Sequence, residues 1–365
     1  MRKIVFHLNC LEQGGAERVV TTLANQFAQD GYQVFIATEW TGENEFAIDK
    51  RIKRVHVGLT QNQEKASRKK QFWYRIKNLR RFLKDEKPDI VIAFAKKANY
   101  RALMATCFTK LPVIVSVRTD PNSDYTGMIN KLLILLFMSG AAGNVFQTKG
   151  AKSFFSKRIQ KKSRIILNPI NEKYLNVTEP SKRRKAVVQS GRLVELKNQQ
   201  MLVEAFTDVH KVHSDYVLEI YGGDSGDGTK ERLEKYIADN HAQQYIKLMG
   251  ASDELEKQLA DASVFAFSSD WEGLPNVIME AMALGLPVIA TDCPCGGPAT
   301  LIQNEVNGLL VPVNDKKAMS AGIIRLIEDR ELADRLGREA RKLGISANAG
   351  AICGQWKDYI EEICR

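Results

Sequence analysis

The sequence predicts an α/β protein built of two doubly wound parallel-sheet domains that face each other across a cleft. Three observations carry that expectation. The chain has 365 residues, more than the roughly 100 to 200 that one ordinary domain holds. Short β-branched runs alternate with helical patterns along its length, which is the rhythm of βαβ units and of a parallel sheet covered on both faces. After Asn168-Pro169 the series begins again.

In chain order, the first series reads KIVFHL, a helix from Ala16, YQVFIAT, DIVIAFA, LPVIVSV, GNVFQT and RIILNPI. The second reads AVVQSG, YVLEIYGG, YIKLMG, SVFAFSS, LPVIAT and GLLVPV. Between them, from Leu167 to Asn176, a proline turn precedes the polar VTEPSKRRK, so the boundary belongs there. The expected domains are 1–170 and 171–345. A last segment, 346–365, carries a helix around Trp356 to Ile363 that packs back on the first domain. Ligands of such sheets bind outside the carboxyl ends of the strands, which directs attention to the loops that follow them.

Hydrophobic residues make up 44% of the chain and charged residues 26%, values that exclude a disordered or an integral membrane protein. The net charge of +10 is unevenly spread. Residues 1–170 hold 30 Lys and Arg against 13 Asp and Glu, a balance of +17, which leaves −7 for residues 171–365. A basic half of this size points to an anionic partner, either nucleic acid or the head groups of a bilayer. The six cysteines (Cys10, Cys107, Cys293, Cys295, Cys353 and Cys364) show no C-x-x-C spacing and read as reduced thiols of a cytosolic protein. The apolar run of MRKIVFHLNC is too short for a signal and reads as the first strand. The segment from Leu132, LLILLFMSGAAG, is also too short to span a bilayer, which needs about 20 residues. A buried helix is its first expectation and an interfacial one its second.

The stretch DWEGLPNVIMEAMALG places Glu272 and Glu280 on either side of a Gly-Leu-Pro-Asn turn. Pro275 suits the first position of a helix and Gly285 its stop, so the helix runs for about ten residues. Free amides around Leu274, Pro275 and Asn276 make its mouth an anion site, and Glu280 lies one turn in, on the side of Asn276. A carboxylate there suits a ribose, the mouth a diphosphate, and Glu272 the group beyond it. Together they have the shape of a sugar nucleotide. The alternative is a solvated helix residue and a loop charge. Upstream, Arg192 and Lys197 in GRLVELKN follow a strand and would neutralise a diphosphate, stabilising it as it leaves. Gly14 and Gly15 in LNCLEQGGAER open a helix after the first strand. Without a third glycine they suit a close approach of backbone to phosphate or sugar better than a dinucleotide site.

The pair Glu272 and Glu280 within EGLPNVIMEAMALGLPVIAT, with GRLVELKN upstream and NGLLVP downstream, resembles family 4 of the retaining, nucleotide-sugar-dependent glycosyltransferases, of GT-B fold with two Rossmann-like domains. The resemblance covers essentially the whole chain. It implies that Glu280 holds the ribose and Glu272 contacts the donor sugar. The amides of Leu274 to Asn276 would bind sugar and phosphate, Arg192 and Lys197 the diphosphate, and the loop of Gly14 and Gly15 would cover the donor. It further implies front-face attack with retention, the leaving phosphate taking the acceptor's proton, without a side-chain nucleophile. No D-x-D metal motif occurs, so neither a metal nor a cofactor is expected. Two positions depart from the pattern. Relatives often carry a histidine after the strand LPVIVSV, where this chain has Arg118, a candidate for holding diphosphate or acceptor against a purely structural role. Thr300 stands where relatives often carry Glu.

The segment KASRKKQFWYRIKNLRRFLK carries nine basic residues and no acidic one. Helical spacing sends Phe72, Ile76, Leu79 and Leu83 to the core and leaves Lys70, Lys77, Arg81 and Lys84 as an outer stripe. An anionic membrane surface is the preferred partner, helped by Trp73 and the segment near Leu132, with a solvated face as the alternative. Nucleic acid is set aside because the other half is acidic and no nucleic-acid-binding motif occurs. The resulting expectation is a cytoplasmic, peripheral membrane glycosyltransferase. It moves a hexose or N-acetylhexosamine from a UDP-sugar to a lipid-linked glycan acceptor. The rivals are a GT-B enzyme acting on a soluble acceptor or isomerising the nucleotide sugar, and a non-catalytic sugar-binding protein.

Overall fold

The computed structural model describes residues 2–12 and 14–365. The chain divides into two compact units, Met1–Pro169 with Ala349–Arg365, and Ile170–Asn348.

The first unit is a seven-stranded parallel sheet in the order β3-β2-β1-β4-β5-β6-β7. Its strands are β1 Lys3–Leu8, β2 Gln33–Thr38, β3 Lys53–His56, β4 Ile90–Phe94, β5 Val113–Ser116, β6 Gly143–Phe146 and β7 Ser163–Ile165. The central strands are buried throughout because helices cover both faces, and this is why they read as continuous apolar runs. β3 was not legible that way. It is an edge strand, KRVH, with a part-exposed pattern and a single apolar residue. The helix Ala349–Ile363 belongs to this unit, where Trp356 stacks on Phe94 and the Tyr359 hydroxyl accepts from the Asn144 amide at 3.0 Å.

Two sequence expectations fail here. Phe72 does not join Ile76, Leu79 and Leu83 in the core. It lies 40% exposed near the start of the helix Arg68–Glu86, edge-on to Trp73. The segment from Leu132 is not a buried helix either, since the helix Met128–Leu136 buries none of its residues. Helical spacing fixes which residues share a face, but not whether another element arrives to cover it.

The second unit is a six-stranded parallel sheet in the order β10-β9-β8-β11-β12-β13. Its strands are β8 Arg184–Ser190, β9 Val217–Tyr221, β10 Ile246–Gly250, β11 Ala262–Phe267, β12 Val288–Thr291 and β13 Leu309–Val311. Leu202, Phe206, Ile220, Val264, Ile289 and Ile323 anchor its core. Strand order reverses between β8 and β11, and the loops after these two strands carry the residues singled out by sequence. Among the described residues no helix is long and apolar enough to cross a membrane.

Candidate active site

In the second unit β8 ends at Ser190, and Gly191 turns the chain with a positive φ of 147°. Gly222 allows the close packing of this turn: a Cβ there would lie 1.9 Å from the Gly191 carbonyl oxygen. Arg192 follows, exposed, and makes no ion pair among the described residues. Lys197 ends a short 3-10 turn, and Asn198, in the left-handed region, caps the helix Gln199–Val212. Asn198 Nδ2 donates to Asp270 Oδ1 at 2.7 Å, and the Asp270 amide donates to the Leu196 carbonyl at 3.0 Å. The loop after β8 is thereby tied to the loop after β11.

That tie brings Lys197 to Glu272, and the two form an ion pair with both side chains mostly shielded from water. Sequence reading gave Lys197 to a diphosphate and Glu272 to a sugar as separate tasks. The structure couples them. Glu272 is fixed from the other side as well, its amide donating to the Pro294 carbonyl at 2.8 Å and its carbonyl accepting from the Cys295 amide at 3.2 Å. Gly297 makes room for this arrangement, because a Cβ there would lie 2.0 Å from the Gly273 carbonyl oxygen. The Cys293 thiol lies near the pair. Burial pushes it up to about 12, the charge of Glu272 adds to the rise and Lys197 opposes it, so it is an unreactive thiol at neutral pH.

The helix after this loop spans Asn276–Ala283, shorter than the ten residues expected, with Pro275 at the N-cap rather than inside. The amides of Gly273, Leu274 and Val277 donate to no described residue and are available to an anion. Glu280 is buried. The unit thus holds a carboxylate inside the helix, open amides at its mouth, and a Lys–Glu pair beside it.

The remaining candidates lie in the first unit. Gly14 caps the helix Gly15–Gln29 in an extended conformation and needs no positive φ. Lys70, Lys77, Arg81 and Lys84 are all exposed on the helix Arg68–Glu86, and among the described residues only Arg81 of the four has an ion pair, a loose one at 3.9 Å to Asp85. Arg118 follows β5. Its guanidinium lies 4.5 Å above the Phe94 ring and 6.0 Å from Trp356, and Nη1 donates to Asn168 Oδ1 at 2.7 Å. Nε and Nη2 are closed to solvent and bond to no described residue, and burial pushes the group down to about 9, still charged at neutral pH. In this conformation the guanidinium is enclosed by its own unit and presents nothing to a ligand, which departs from expectation. No local pattern ties Phe94 or Trp356 to Arg118.

Sequence reading also missed a charged cluster at the carboxyl ends of β1 and β2. Buried Glu39 pairs with Arg75 at 3.0 Å and with Arg101, and Arg101 Nη1 reaches Asn9 Oδ1 at 3.3 Å. Its members come from four separate segments, so no spacing in the sequence announces it.

Comparison with known proteins agrees with this architecture. Residues 13–174 match the model of Glycosyltransferase Family 4, and residues 171–343 that of Glycosyl transferases group 1. The chain is 24% identical to the amylovoran biosynthesis glycosyltransferase AmsD of Erwinia amylovora, over 95% of this chain and 96% of the relative. It is 25% identical, over 100% of this chain and 99% of the relative, to the GalNAc-alpha-(1->4)-GalNAc-alpha-(1->3)-diNAcBac-PP-undecaprenol alpha-1,4-N-acetyl-D-galactosaminyltransferase of Campylobacter jejuni. Among solved structures, Anabaena HepE in complex with UDP and glucose superposes with a TM-score of 0.82 at 17% identity, covering 99% of this chain and 100% of that one.

Proposed function

The chain belongs to the family 4 glycosyltransferases of GT-B fold, and from that premise we propose that it moves a hexose or N-acetylhexosamine from a UDP-sugar, with retention, to a lipid-linked or growing glycan at the cytoplasmic face of a membrane. The observation that carries the donor half is the meeting of Lys197, Glu272 and the open amides of Gly273, Leu274 and Val277 in one loop cluster. A diphosphate seated on those amides gains from the helix dipole and from Lys197 and Arg192. Glu280 accepts from the ribose hydroxyls and Glu272 from a hydroxyl of the sugar. The turn at Gly14 and Gly15 offers backbone to phosphate or sugar.

In the transfer, the bond from the anomeric carbon to the β-phosphate oxygen breaks while the acceptor oxygen bonds that carbon from the same face. The acceptor's proton passes to the departing phosphate oxygen. Charge grows on the diphosphate as this happens, so Arg192, Lys197 and the helix mouth stabilise the transition state more than the ground state. Arg118, enclosed as it is, serves by holding the loop after β5. The exposed cations Lys70, Lys77, Arg81 and Lys84 face anionic lipid, where about 1 kcal/mol per basic residue gives reversible attachment. The complex of a structural neighbour with UDP and glucose, and a relative named for an undecaprenol diphosphate glycan, support the choice of donor and acceptor class.

A panel of UDP-sugars incubated with the protein and a membrane extract tests this reading through UDP release. One donor should be consumed well above the rest, and only when the extract is present should release exceed slow hydrolysis. Absence of UDP from every UDP-sugar would remove the donor assignment.

A further inference from the structure

The helix Met128–Leu136 turns its apolar side outward. Met128, Ile129, Leu132, Leu135 and Leu136 lie on one stripe at helical spacing and are between 54% and 86% exposed, whereas the part-buried positions are Asn130, Leu133 and Ile134. A surface helix of a water-soluble face is normally built the other way round, with its apolar stripe toward the core. Nearby, Phe108 is 98% exposed at a positive φ of 64°, at the tip of the turn that follows the helix Lys96–Ala105. Phe108 and Lys110 share one surface hollow with Leu136, and Lys110 shares the adjoining one with Arg80, Lys84 and Lys87. The apolar stripe and the carboxyl end of the basic helix are therefore parts of one continuous surface.

We infer that this helix is an interfacial wedge, whose stripe enters the boundary between head groups and acyl chains of an anionic bilayer while the neighbouring cations stay among the head groups. The inference deepens the membrane part of the proposed function. Three features select this occupant. The rim is basic on balance: Lys131 on the helix and Lys84, Lys87 and Lys110 beside it are all exposed, against the exposed Asp85 and Asp89. Long lysine stems let charges remain at the head groups while apolar neighbours descend. The helix is also too small to hold a second protein copy by itself. Nine residues extend about 13 Å and one helix face is about 10 Å wide, a footprint of roughly 150 Å², far short of the roughly 800 Å² per partner that a stable interface buries.

Apolar insertion and charge attraction differ in their response to salt, which separates this helix from the basic one. With vesicles of phosphatidylcholine and about 30 mol% phosphatidylglycerol, a wedge holds part of the protein on the membrane even at about 0.5 M salt, where surface attraction is screened. The triple variant Ile129→Ser, Leu132→Ser, Leu135→Ser should need roughly a hundredfold more lipid for half-binding under those conditions. Its melting temperature should fall only slightly, since all three side chains are more than half exposed and only helix propensity and partial contacts are lost, and donor hydrolysis should be unchanged. In a second protein, Leu132→Trp should add a blue-shifted fluorescence component on vesicle addition. Binding is read without substrate, so the result is independent of whether the sugar transfer holds. High-salt binding by the triple variant equal to that of the original protein overturns the inference. So does a dimer, seen by light scattering, that the triple variant dissociates, because the stripe would then lie between copies.

Discussion

Lys197 cannot serve both Glu272 and an incoming diphosphate at full strength, and this competition has a measurable size. The two side chains keep only 16% and 18% of their exposure. At an effective dielectric constant near 20, unit charges about 4 Å apart attract by about 4 kcal/mol, much of it offset by desolvation. Replacing Lys197 with Met removes a cation from the diphosphate and also leaves the Glu272 charge facing it unneutralised. If each effect contributes about 1 to 2 kcal/mol, UDP affinity falls by about 2 to 4 kcal/mol, roughly thirtyfold to a thousandfold. Glu272→Gln alone should do the opposite, tightening UDP a few-fold by freeing Lys197, even as transfer falls. The double variant Lys197→Met, Glu272→Gln should regain about half of the single loss, and once the gain of Glu272→Gln alone is subtracted the coupling is roughly 0.5 to 1.5 kcal/mol. Calorimetric titration of UDP into all four proteins, each checked for an intact thermal transition, reads the cycle directly. Additive losses, or Glu272→Gln binding UDP as weakly as Lys197→Met, would refute the exchange of partners.

Other consequences are as specific. Glu280→Gln should weaken UDP binding by about 1 to 3 kcal/mol, because an amide accepts two ribose hydroxyls less well than a carboxylate; calorimetry checks it. Arg192→Ala should lower kcat by roughly a hundredfold, and a rise confined to KM for the donor would make it a ground-state binder only. Reversing Lys70, Lys77, Arg81 and Lys84 to Glu should abolish sedimentation with anionic vesicles at low salt while donor hydrolysis persists, and unchanged binding would return that helix to a merely solvated face. His7 is fully buried in β1, and burial lowers it to about 4, with its Nδ1 bonded to the Ala37 carbonyl at 3.0 Å. The unfolded chain therefore takes up a proton near pH 6.5 that the folded chain refuses until about pH 4. Stability should drop by about 3 kcal/mol across that window, and His7→Gln should flatten the slope in denaturant titrations.

The strands were legible because a parallel sheet buried on both faces demands apolar, β-branched runs. All six runs read in the second series became strands, as did the six read in the first. β3 escaped because an edge strand faces fewer demands. In the site, Glu272, Glu280, Arg192 and Lys197 stood out because turn residues and charges interrupt those runs at strand ends. Their relations were hidden. Lys197 and Glu272 are 75 positions apart and meet only because Asn198 and Asp270 lash two loops together. The need for glycine at position 297 comes from the approach of Gly273, which no local pattern encodes. Phe72 and the stripe of Met128–Leu136 mark the converse limit, since periodicity cannot say whether a partner element, lipid or water meets an apolar face.

Transfer with retention from a UDP-sugar to a lipid-linked glycan is read from the anomeric configuration of the product. The preferred donor of the panel, an α-linked UDP-sugar, would be given to the protein with a short-chain polyprenyl diphosphate glycan, and the new linkage followed by proton NMR. An α-linked product is expected, formed with one UDP released per sugar transferred and about a hundredfold more slowly in Arg192→Ala. A β-linked product, or UDP release with no sugar reaching the lipid-linked acceptor, would contradict it.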